Sequence, residues 1–317
     1  MVWLYWPRRS CRPGLCGEKN WPFYKREPSF VWSVSALVRR GVIQFISTIV
    51  CNANWRGFRD GTVYTGKTKS FCVPGLNCYS CPGALGSCPV GSLQSSLSGF
   101  LPRIPLYVLG LLVLFGILFG RVVCGFLCPF GFFQELLYKL PVRKVGKSAL
   151  TRKFTYGKYV FLALVCVGPP AAYVIIGLGE PLFCKYICPA GTIEGAVPLF
   201  IANDGLRSAA GMLTAWKGFL AAVLVMVSIV IFRPFCRFIC PLGALYGFFN
   251  KYSLLGIAVD NNRCVNCGRC AAVCKSDVRI AGDRECISCG DCITTCPVDA
   301  IYMKKPISRR MKEEKND

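Results

Sequence analysis

Histidine is absent from this 317-residue chain, and only 17% of its residues carry a charge. Zinc sites are often built from cysteine together with histidine, and haem iron usually takes a histidine ligand. The sequence therefore predicts no haem, and it excludes a histidine-based proton relay. It also contains no nucleotide-binding glycine loop and no nucleophile constellation. A soluble protein would be about one quarter charged, so the scarcity of charge argues against a wholly soluble chain.

Acidic residues are scarce as well, since 16 aspartates and glutamates stand against 38 lysines and arginines, which gives a net charge of +22. In a nucleic-acid-binding module such an excess forms a basic stripe interleaved with stacking aromatic residues. Here the basic residues lie in short blocks between apolar runs, as the positive-inside rule places them in membrane proteins. We therefore expect membrane lipid, and not nucleic acid, around this chain.

Three long apolar runs, at residues 104–120, 159–178 and 212–232, meet the length that a bilayer core of about 30 Å demands. A weaker fourth run extends from about residue 41 to 55. Buried core helices are the alternative, but three such runs in one chain make it the weaker interpretation. The sequence thus predicts a mostly α-helical membrane protein with about four transmembrane helices in two parallel repeats.

Charge in the connecting loops predicts the orientation of the chain. The loop between the runs at 104–120 and 159–178 is strongly basic, whereas the loop at 179–211 has more acids than bases. Basic loops stay in the cytoplasm, so both termini are expected inside a cytoplasmic (inner) membrane. The predicted division of the chain is a basic cytoplasmic leader (1–30), a membrane domain (31–255), a ferredoxin-like domain (256–303) and a charged tail (304–317).

The chain has 22 cysteines, and eight of them form two consecutive C-x2-C-x2-C-x3-C runs near the C-terminus. Three closely spaced thiolates hold one corner of a [4Fe–4S] cluster, and the fourth cysteine of each run binds the other cluster. A small α+β domain with two clusters is expected. A zinc site would instead show two C-x2-C pairs. The first cluster is assigned Cys264, Cys267, Cys270 and Cys296, and the second Cys274, Cys286, Cys289 and Cys292.

These runs resemble those of bacterial two-cluster ferredoxins. Two departures are visible: Lys275 replaces the usual proline after the fourth cysteine of the first run, and 11 residues separate the runs.

A second motif, C-x3-C-P-x-G, follows each long apolar run. Proline removes an amide donor and breaks the helix, which lets backbone amides point at cluster sulfurs. The regular copies contain Cys124 with Cys128, Cys184 with Cys188, and Cys236 with Cys240. A variant after the weak run keeps Cys88-Pro-Val-Gly but has Ala84 in place of the first cysteine, so Cys78 or Cys81 must supply that role.

Successive spans cross in opposite directions, so these motifs alternate between the two sides of the membrane. Sites in repeat proteins of this kind lie at the repeat interface. We expect one inner cluster, on Cys124, Cys128, Cys236 and Cys240, and one outer cluster, on members of the set Cys78, Cys81, Cys88, Cys184 and Cys188, with Cys72 as a further candidate. Inert buried cysteines on the inner side and disulfides on the outer side are the alternatives.

With these motifs, residues 41 to 303 resemble the membrane polyferredoxins of the NapH/NosR type, and the segment 72–94 resembles a subgroup from anaerobic bacteria. The resemblance implies electron transfer between a quinol or cytoplasmic donor and an extracytoplasmic redox protein, often one with covalent flavin. This chain lacks the Ser-Gly-Ala-Thr flavinylation pattern, so we expect no covalent FMN on it and an FMN-binding protein as a separate partner.

The sequence therefore predicts an oxidoreductase subunit for transmembrane electron transfer, with no substrate site of its own. A cytoplasmic ferredoxin or dehydrogenase would be the low-potential donor. A quinol dehydrogenase that oxidises menaquinol is one alternative, with Gln134, Glu135 and Glu194 among the few polar groups available to a quinone. A membrane redox-sensing regulator and a scaffold that stores or inserts clusters are the others.

Overall fold

A computed structural model of the chain describes residues 30–98, 105–167, 181–276 and 278–304. The predicted leader and nearly all of the charged tail lie outside the described residues, as does the second half of the predicted span at 159–178.

Helices dominate the described part of the chain, and most of them are short. Proline and the cysteine motifs interrupt the apolar runs repeatedly, so that long helices give way to broken ones. The α-helices are Phe30–Cys51, Trp55–Asp60, Pro89–Leu97, Leu106–Phe119, Val122–Phe126, Pro129–Tyr138, Ala149–Phe154, Gly157–Phe161, Val197–Ala202, Asp204–Ser208, Met212–Val230, Pro234–Phe238, Pro241–Phe249 and Arg269–Val273. One 3₁₀ turn is present at Lys67–Ser70, and π-helical turns occur at Leu162–Val167, Phe183–Ile187 and Gly191–Ala196.

Within the described ranges, one helix, Met212–Val230, is long and apolar enough to cross a membrane. Leu106–Phe119 has 14 residues, so it is only about 21 Å long. It stops at Gly120, whose positive φ of 50° turns the chain toward the first regular motif, which begins at Cys124. Phe30–Cys51 has 22 residues and carries Arg39 and Arg40 near its middle. The fold is therefore mostly helical, and the count of four transmembrane helices stays a prediction.

Large apolar side chains cover the outside of these helices. Leu106 is 75% exposed, Phe219 61%, Met226 67% and Val50 61%. Soluble monomers rarely expose contiguous apolar surface on this scale. Lipid around the helices would explain it.

The two predicted repeats pack across one another. Leu106–Phe119 contacts Pro241–Phe249, the helix of the last motif, and Met212–Val230 contacts Pro129–Tyr138, the helix of the first regular motif. At the first crossing a Cβ on Gly116 would lie 2.5 Å from the Phe249 ring, so only glycine allows this approach. Each apolar helix thus supports the motif of the other repeat.

Aromatic rings fill the interface between the inner motifs. The fully buried Phe130 ring meets Phe235 edge to face, with ring centroids 5.3 Å apart, and Phe183 stacks on Phe235 at 6.4 Å. These rings pack the core immediately beside the motif cysteines.

The C-terminal module is closed by a two-stranded antiparallel sheet, β1 (Ile257–Val259) and β2 (Ile301–Met303). Ile257 pairs with Met303, and Val259 pairs with Ile301. Because the strands lie at the two ends of the module, their pairing brackets both cysteine runs. A small core of Ile257, Ala281, Cys292 and Ile301 lies beneath them.

Candidate iron–sulfur sites

The C-P-x-G sequence builds a helix N-terminus around a thiol. Cys88, Cys128 and Cys240 are each the N-cap of a helix that has proline in its first turn. The amide of Gly243, three residues after Cys240, donates to its Sγ at 3.4 Å. The amides of Gly91, Gly131 and Gly191 interact in the corresponding way with the thiols of Cys88, Cys128 and Cys188. The motif therefore presents each second cysteine with an amide aimed at sulfur.

The four cysteines predicted for the inner site lie together and are buried. The thiols of Cys236 and Cys240 interact with each other. Cys124 interacts electrostatically with Cys236, and Cys128 with both Cys124 and Cys236. Each pair comes from a different repeat, so this inner set is assembled across the repeat interface, as the sequence predicts.

Four of the cysteines predicted for the outer site form a similar group, which we call the outer set. The thiol of Cys88 interacts with those of Cys184 and Cys78, and Cys188 interacts with Cys78 and Cys88. Cβ atoms built on Gly91 and Gly191 would lie 3.7 Å from the Sγ atoms of Cys184 and Cys78, respectively. The outer set is thus Cys78, Cys88, Cys184 and Cys188.

Two further cysteines predicted as candidates for the outer site have other partners. Cys81 donates to Asn52 Oδ1 at 3.4 Å and interacts electrostatically with Cys78. Cys72 donates to Ser92 Oγ, also at 3.4 Å. Cys78 therefore occupies the place of the missing first cysteine, which spacing alone left open between Cys78 and Cys81. Cysteines with described side chains form no disulfide.

A spacing that sequence reasoning missed places one side chain six positions after the second cysteine of every motif. Gln134 donates to Cys236 Sγ at 3.2 Å, and Gln94 accepts from the Cys184 amide at 3.2 Å. Glu194 accepts from the Cys78 amide at 2.9 Å. Tyr246, at the fourth such position, interacts electrostatically with Cys124. In each case the partner stands in the first-cysteine position of the paired motif, so this side chain joins the two repeats at the site. The shared spacing, C-P-x-G-x2-[QEY], is visible in the sequence.

In the C-terminal module, the two cysteine runs share an unusual backbone. Asn266 and Ser288, which precede the middle cysteines Cys267 and Cys289, have φ values of 52° and 54°. The glycines that follow these cysteines also have positive φ. Non-glycine residues rarely adopt this conformation. Both runs have this backbone conformation at matched positions, so each run bends around its own cysteine side chains.

The module's cysteines separate into the two predicted sets. A cavity is lined by Cys264, Cys267, Cys270 and Cys296, the distal set. Cys292 interacts electrostatically with Cys274, Cys286 and Cys289, the proximal set. The fourth cysteine of each run therefore lies with the other run.

The proximal set is held directly against the inner set. A Cβ on Gly125, beside Cys124, would lie 2.2 Å from the carbonyl oxygen of Ile287, which follows Cys286. Asn250 Nδ2 donates to the carbonyls of Asp283 and Cys286 at 2.7 and 3.0 Å. The backbone of the module thus touches the backbone of the inner motif where glycine leaves room for it.

Buried ion pairs fix this junction. Arg121 Nη1 lies 2.6 Å from Glu285 Oε2, which also pairs with Lys158. Side chains of Arg121 and Lys158 are 2% and 0% exposed. Burial would raise the pKa of Glu285, but Arg121 and Lys158 hold it below its usual value. Burial, together with Arg121, lowers the pKa of Lys158 to about 8.

A matching group lies on the other side of the inner set. Arg233 Nε is 3.2 Å from Glu135 Oε1, and Arg40 pairs with the same carboxylate. Arg233 and Arg121 each stand three residues before the first cysteine of an inner motif. Two cations share one carboxylate in each group, so the inner set lies in a region of excess positive charge. Such a region compensates a cofactor that carries net negative charge.

The donor sets suit [4Fe–4S] clusters. Each contains four thiols and no nitrogen ligand, and amides aimed at sulfur are one of the features that tune cluster potentials. No three Cys, Asp or Glu side chains in the described ranges converge closely enough to share a single metal ion. A [4Fe–4S] cluster does not require three ligands to meet at one metal ion, because each thiolate binds a separate iron at its own corner of the cluster. A cluster bound there would supply a one-electron redox centre.

Comparison with known proteins agrees with this assignment. A family model described as a 4Fe-4S binding domain matches residues 102–148, 159–198 and 214–258, and each match contains one regular C-x3-C-P-x-G motif. A second model, also described as a 4Fe-4S binding domain, matches residues 283–302. No solved structure matches the chain.

Several curated proteins are similar. MauN of Paracoccus denitrificans, a methylamine utilization ferredoxin-type protein, is 30% identical over 196 residues, which cover 61% of this chain and 62% of MauN. The ferredoxin-type protein NapH of Escherichia coli is 25% identical over 190 residues, 59% of each chain. An uncharacterized protein of Methanocaldococcus jannaschii is 29% identical over 178 residues, 53% of this chain and 64% of that protein.

The chain spans about three fifths of the length of these relatives. The repeated 4Fe-4S binding domains indicate [4Fe–4S] clusters, and the relatives named as ferredoxin-type proteins support the similarity of this chain to the NapH-type polyferredoxins.

Proposed function

We propose that this protein carries electrons across a membrane, between a low-potential donor on the cytoplasmic side and a redox partner on the outer side. The observation that carries the proposal is the serial order of the four cysteine sets. The distal and proximal sets share one small module, the proximal set abuts the inner set at Gly125, and the inner set adjoins the outer set.

In this proposal each of the four sets holds one [4Fe–4S] cluster. The ligands are Cys264, Cys267, Cys270 and Cys296 (distal); Cys274, Cys286, Cys289 and Cys292 (proximal); Cys124, Cys128, Cys236 and Cys240 (inner); and Cys78, Cys88, Cys184 and Cys188 (outer). The protein's residues hold the sets in fixed order, exclude water from the inner one by burial, and aim amides at its sulfurs.

A membrane location is supported by the exposed apolar side chains of the helices and by the span-length helix Met212–Val230. We propose four spans, with residues 31–255 in the membrane and 256–303 on the cytoplasmic side. The donor would then be a ferredoxin or dehydrogenase that docks on the module, where Cys267 is exposed. The acceptor would be an extracytoplasmic redox protein, with an FMN-binding protein as our first choice.

The polar groups that sequence analysis offered to a quinone all have partners inside the protein. Gln134 binds Cys236 and the Phe235 amide, Glu135 pairs with Arg40 and Arg233, and Glu194 accepts from the Cys78 amide. No observation in the described ranges therefore favours the quinol dehydrogenase alternative over direct transfer between proteins.

Proteoliposomes with one orientation of the protein test the proposal. A low-potential reductant is added on the module side, and reduction of a one-electron acceptor trapped inside is followed. Cys124→Ser should reduce the rate to the leak of protein-free vesicles, whereas Cys51→Ser, a cysteine outside the four sets, should leave it unchanged. Equal rates for wild type and Cys124→Ser would refute the proposal. Transfer that requires added menaquinone would favour the quinol dehydrogenase.

A further inference from the structure

A short peptide, residues 74–78, lies between the inner and outer sets. The amide of Leu76 donates to Cys128 Sγ in the inner set at 3.4 Å. Cys78, two residues later in the chain, belongs to the outer set. Leu76 is 2% exposed and Asn77 is fully buried, so the peptide runs through the interior of the protein.

The position of this bridging peptide is fixed by two close contacts. Tyr246 Oη donates to the Pro74 carbonyl at 2.9 Å. A Cβ on Gly75 would lie 2.9 Å from Cys128 Cα and 3.2 Å from Pro129 Cδ, so any larger residue would push the peptide away from the inner motif.

Tyr246 itself stands between the two sets. Its ring is fully buried, and its hydroxyl interacts electrostatically with Cys124 and Cys128 on one side and with Cys88 on the other. The buried tyrosine therefore lies close to cysteines of both sets.

The two sets are close together. Two residues of extended chain span about 7 Å, so the thiols of Cys128 and Cys78 lie within about 15 Å of each other. A bilayer core is about 30 Å thick. The sets predicted for opposite membrane sides are thus neighbours inside the protein, because the loop that carries Cys78 enters the interior to reach Cys128.

We propose that the peptide 74–78 is the bonded path for electrons between the inner and outer sites, held in place by Tyr246. The path runs from Cys128 Sγ through one hydrogen bond to the Leu76 amide, then along covalent bonds to Cys78. One electron leaves the reduced site at one end and reduces the oxidised site at the other. No bond forms or breaks, and no proton is transferred. This inference rests on the proposed function.

The test is electron paramagnetic resonance of the full chain, with clusters reconstituted and reduced by dithionite. Exchange coupling between two paramagnetic centres depends on the bonded path, whereas dipolar coupling depends on their distance and relative orientation and not on that path. Tyr246→Phe keeps the ring but removes the hydrogen bond to Pro74. Tyr252→Phe, at a tyrosine that is 74% exposed, is the matched control.

We expect wild type and Tyr252→Phe to show an exchange splitting that Tyr246→Phe loses, while iron content and dipolar distance stay constant. Gly75→Ala should lose it too, and Gly110→Ala, where a Cβ meets nothing within 4 Å, should not. If Gly75→Ala loses a cluster as well as the splitting, the test depends on the splitting measured in Tyr246→Phe. A full splitting in Tyr246→Phe would overturn the inference and leave the proposed function standing. Absence of inner and outer iron in wild type would overturn both.

Discussion

Removal of the carboxylate at the module junction should release the C-terminal module from the membrane body. Glu285→Gln leaves Arg121 and Lys158 buried without their shared anion. Loss of one partner from a buried ion pair costs about 3–5 kcal/mol. Lys158 can lose its proton, since its pKa already lies at about 8, so the lower end of that range applies. At about 1.4 kcal/mol for each factor of ten, the undocked population should rise roughly a hundredfold.

Hydrogen exchange measured by mass spectrometry reports this change at the junction. Amides of Cys286 and neighbouring residues should lose protection in Glu285→Gln, while the iron content of the module stays constant. Asp204→Asn is the control, because the Asp204–Arg207 pair is exposed and such pairs contribute about 0–1 kcal/mol. Wild-type protection in Glu285→Gln would refute the argument that this carboxylate holds the junction.

Two further predictions concern single ligands and their supports. Gln134→Leu removes a hydrogen-bond donor to the Cys236 sulfur. The midpoint potential of the inner cluster should therefore fall, while that of the outer cluster stays constant. Potentiometric titration measures both potentials, and an unchanged inner potential would contradict the prediction. Cys78→Ser should remove about four irons and the outer cluster's signal, whereas Cys81→Ser should retain both; the opposite outcome would show that the outer set is wrongly assigned.

Local sequence pointed to most of the candidate ligands because these cysteines are concentrated in short motifs. The two C-terminal runs and the regular C-x3-C-P-x-G pairs are each contained in a few residues, and alternation along the chain placed Cys124 and Cys236 on one side. Proline after cysteine predicted a helix start with an amide at sulfur, and the Gly243–Cys240 hydrogen bond has this geometry.

Other features depend on contacts between distant parts of the chain. Spacing could not separate Cys78 from Cys81, because a loop with several prolines and glycines has no fixed period. The approach of Leu76 to Cys128 crosses 52 residues, and the Arg121–Glu285 pair crosses 164. The sequence interpretation placed the loop of Cys78 and the motif of Cys128 on opposite sides of the membrane. The structure instead brings Leu76 of this loop to Cys128, and Tyr246 of the other repeat binds Pro74 beside it.

Helix length was the other limit of the sequence interpretation. Hydropathy measures how apolar a run is, but it does not register that Gly120 ends the helix Leu106–Phe119 before the first motif. The residue six positions after the second cysteine of each motif was visible in the sequence as Gln94, Gln134, Glu194 and Tyr246. Its meaning depends on a partner in the other repeat, which no local pattern contains.

Iron quantitation on anaerobically purified protein tests the central claim most directly, when combined with electron paramagnetic resonance and serine variants from each repeat. Four sets of four thiolates predict about sixteen irons per chain. Cys124→Ser and Cys236→Ser should each lose the same four irons and the same signal, since both cysteines belong to the inner set. About eight irons in the wild type, with no change in either variant, would contradict the account and restrict the clusters to the C-terminal module.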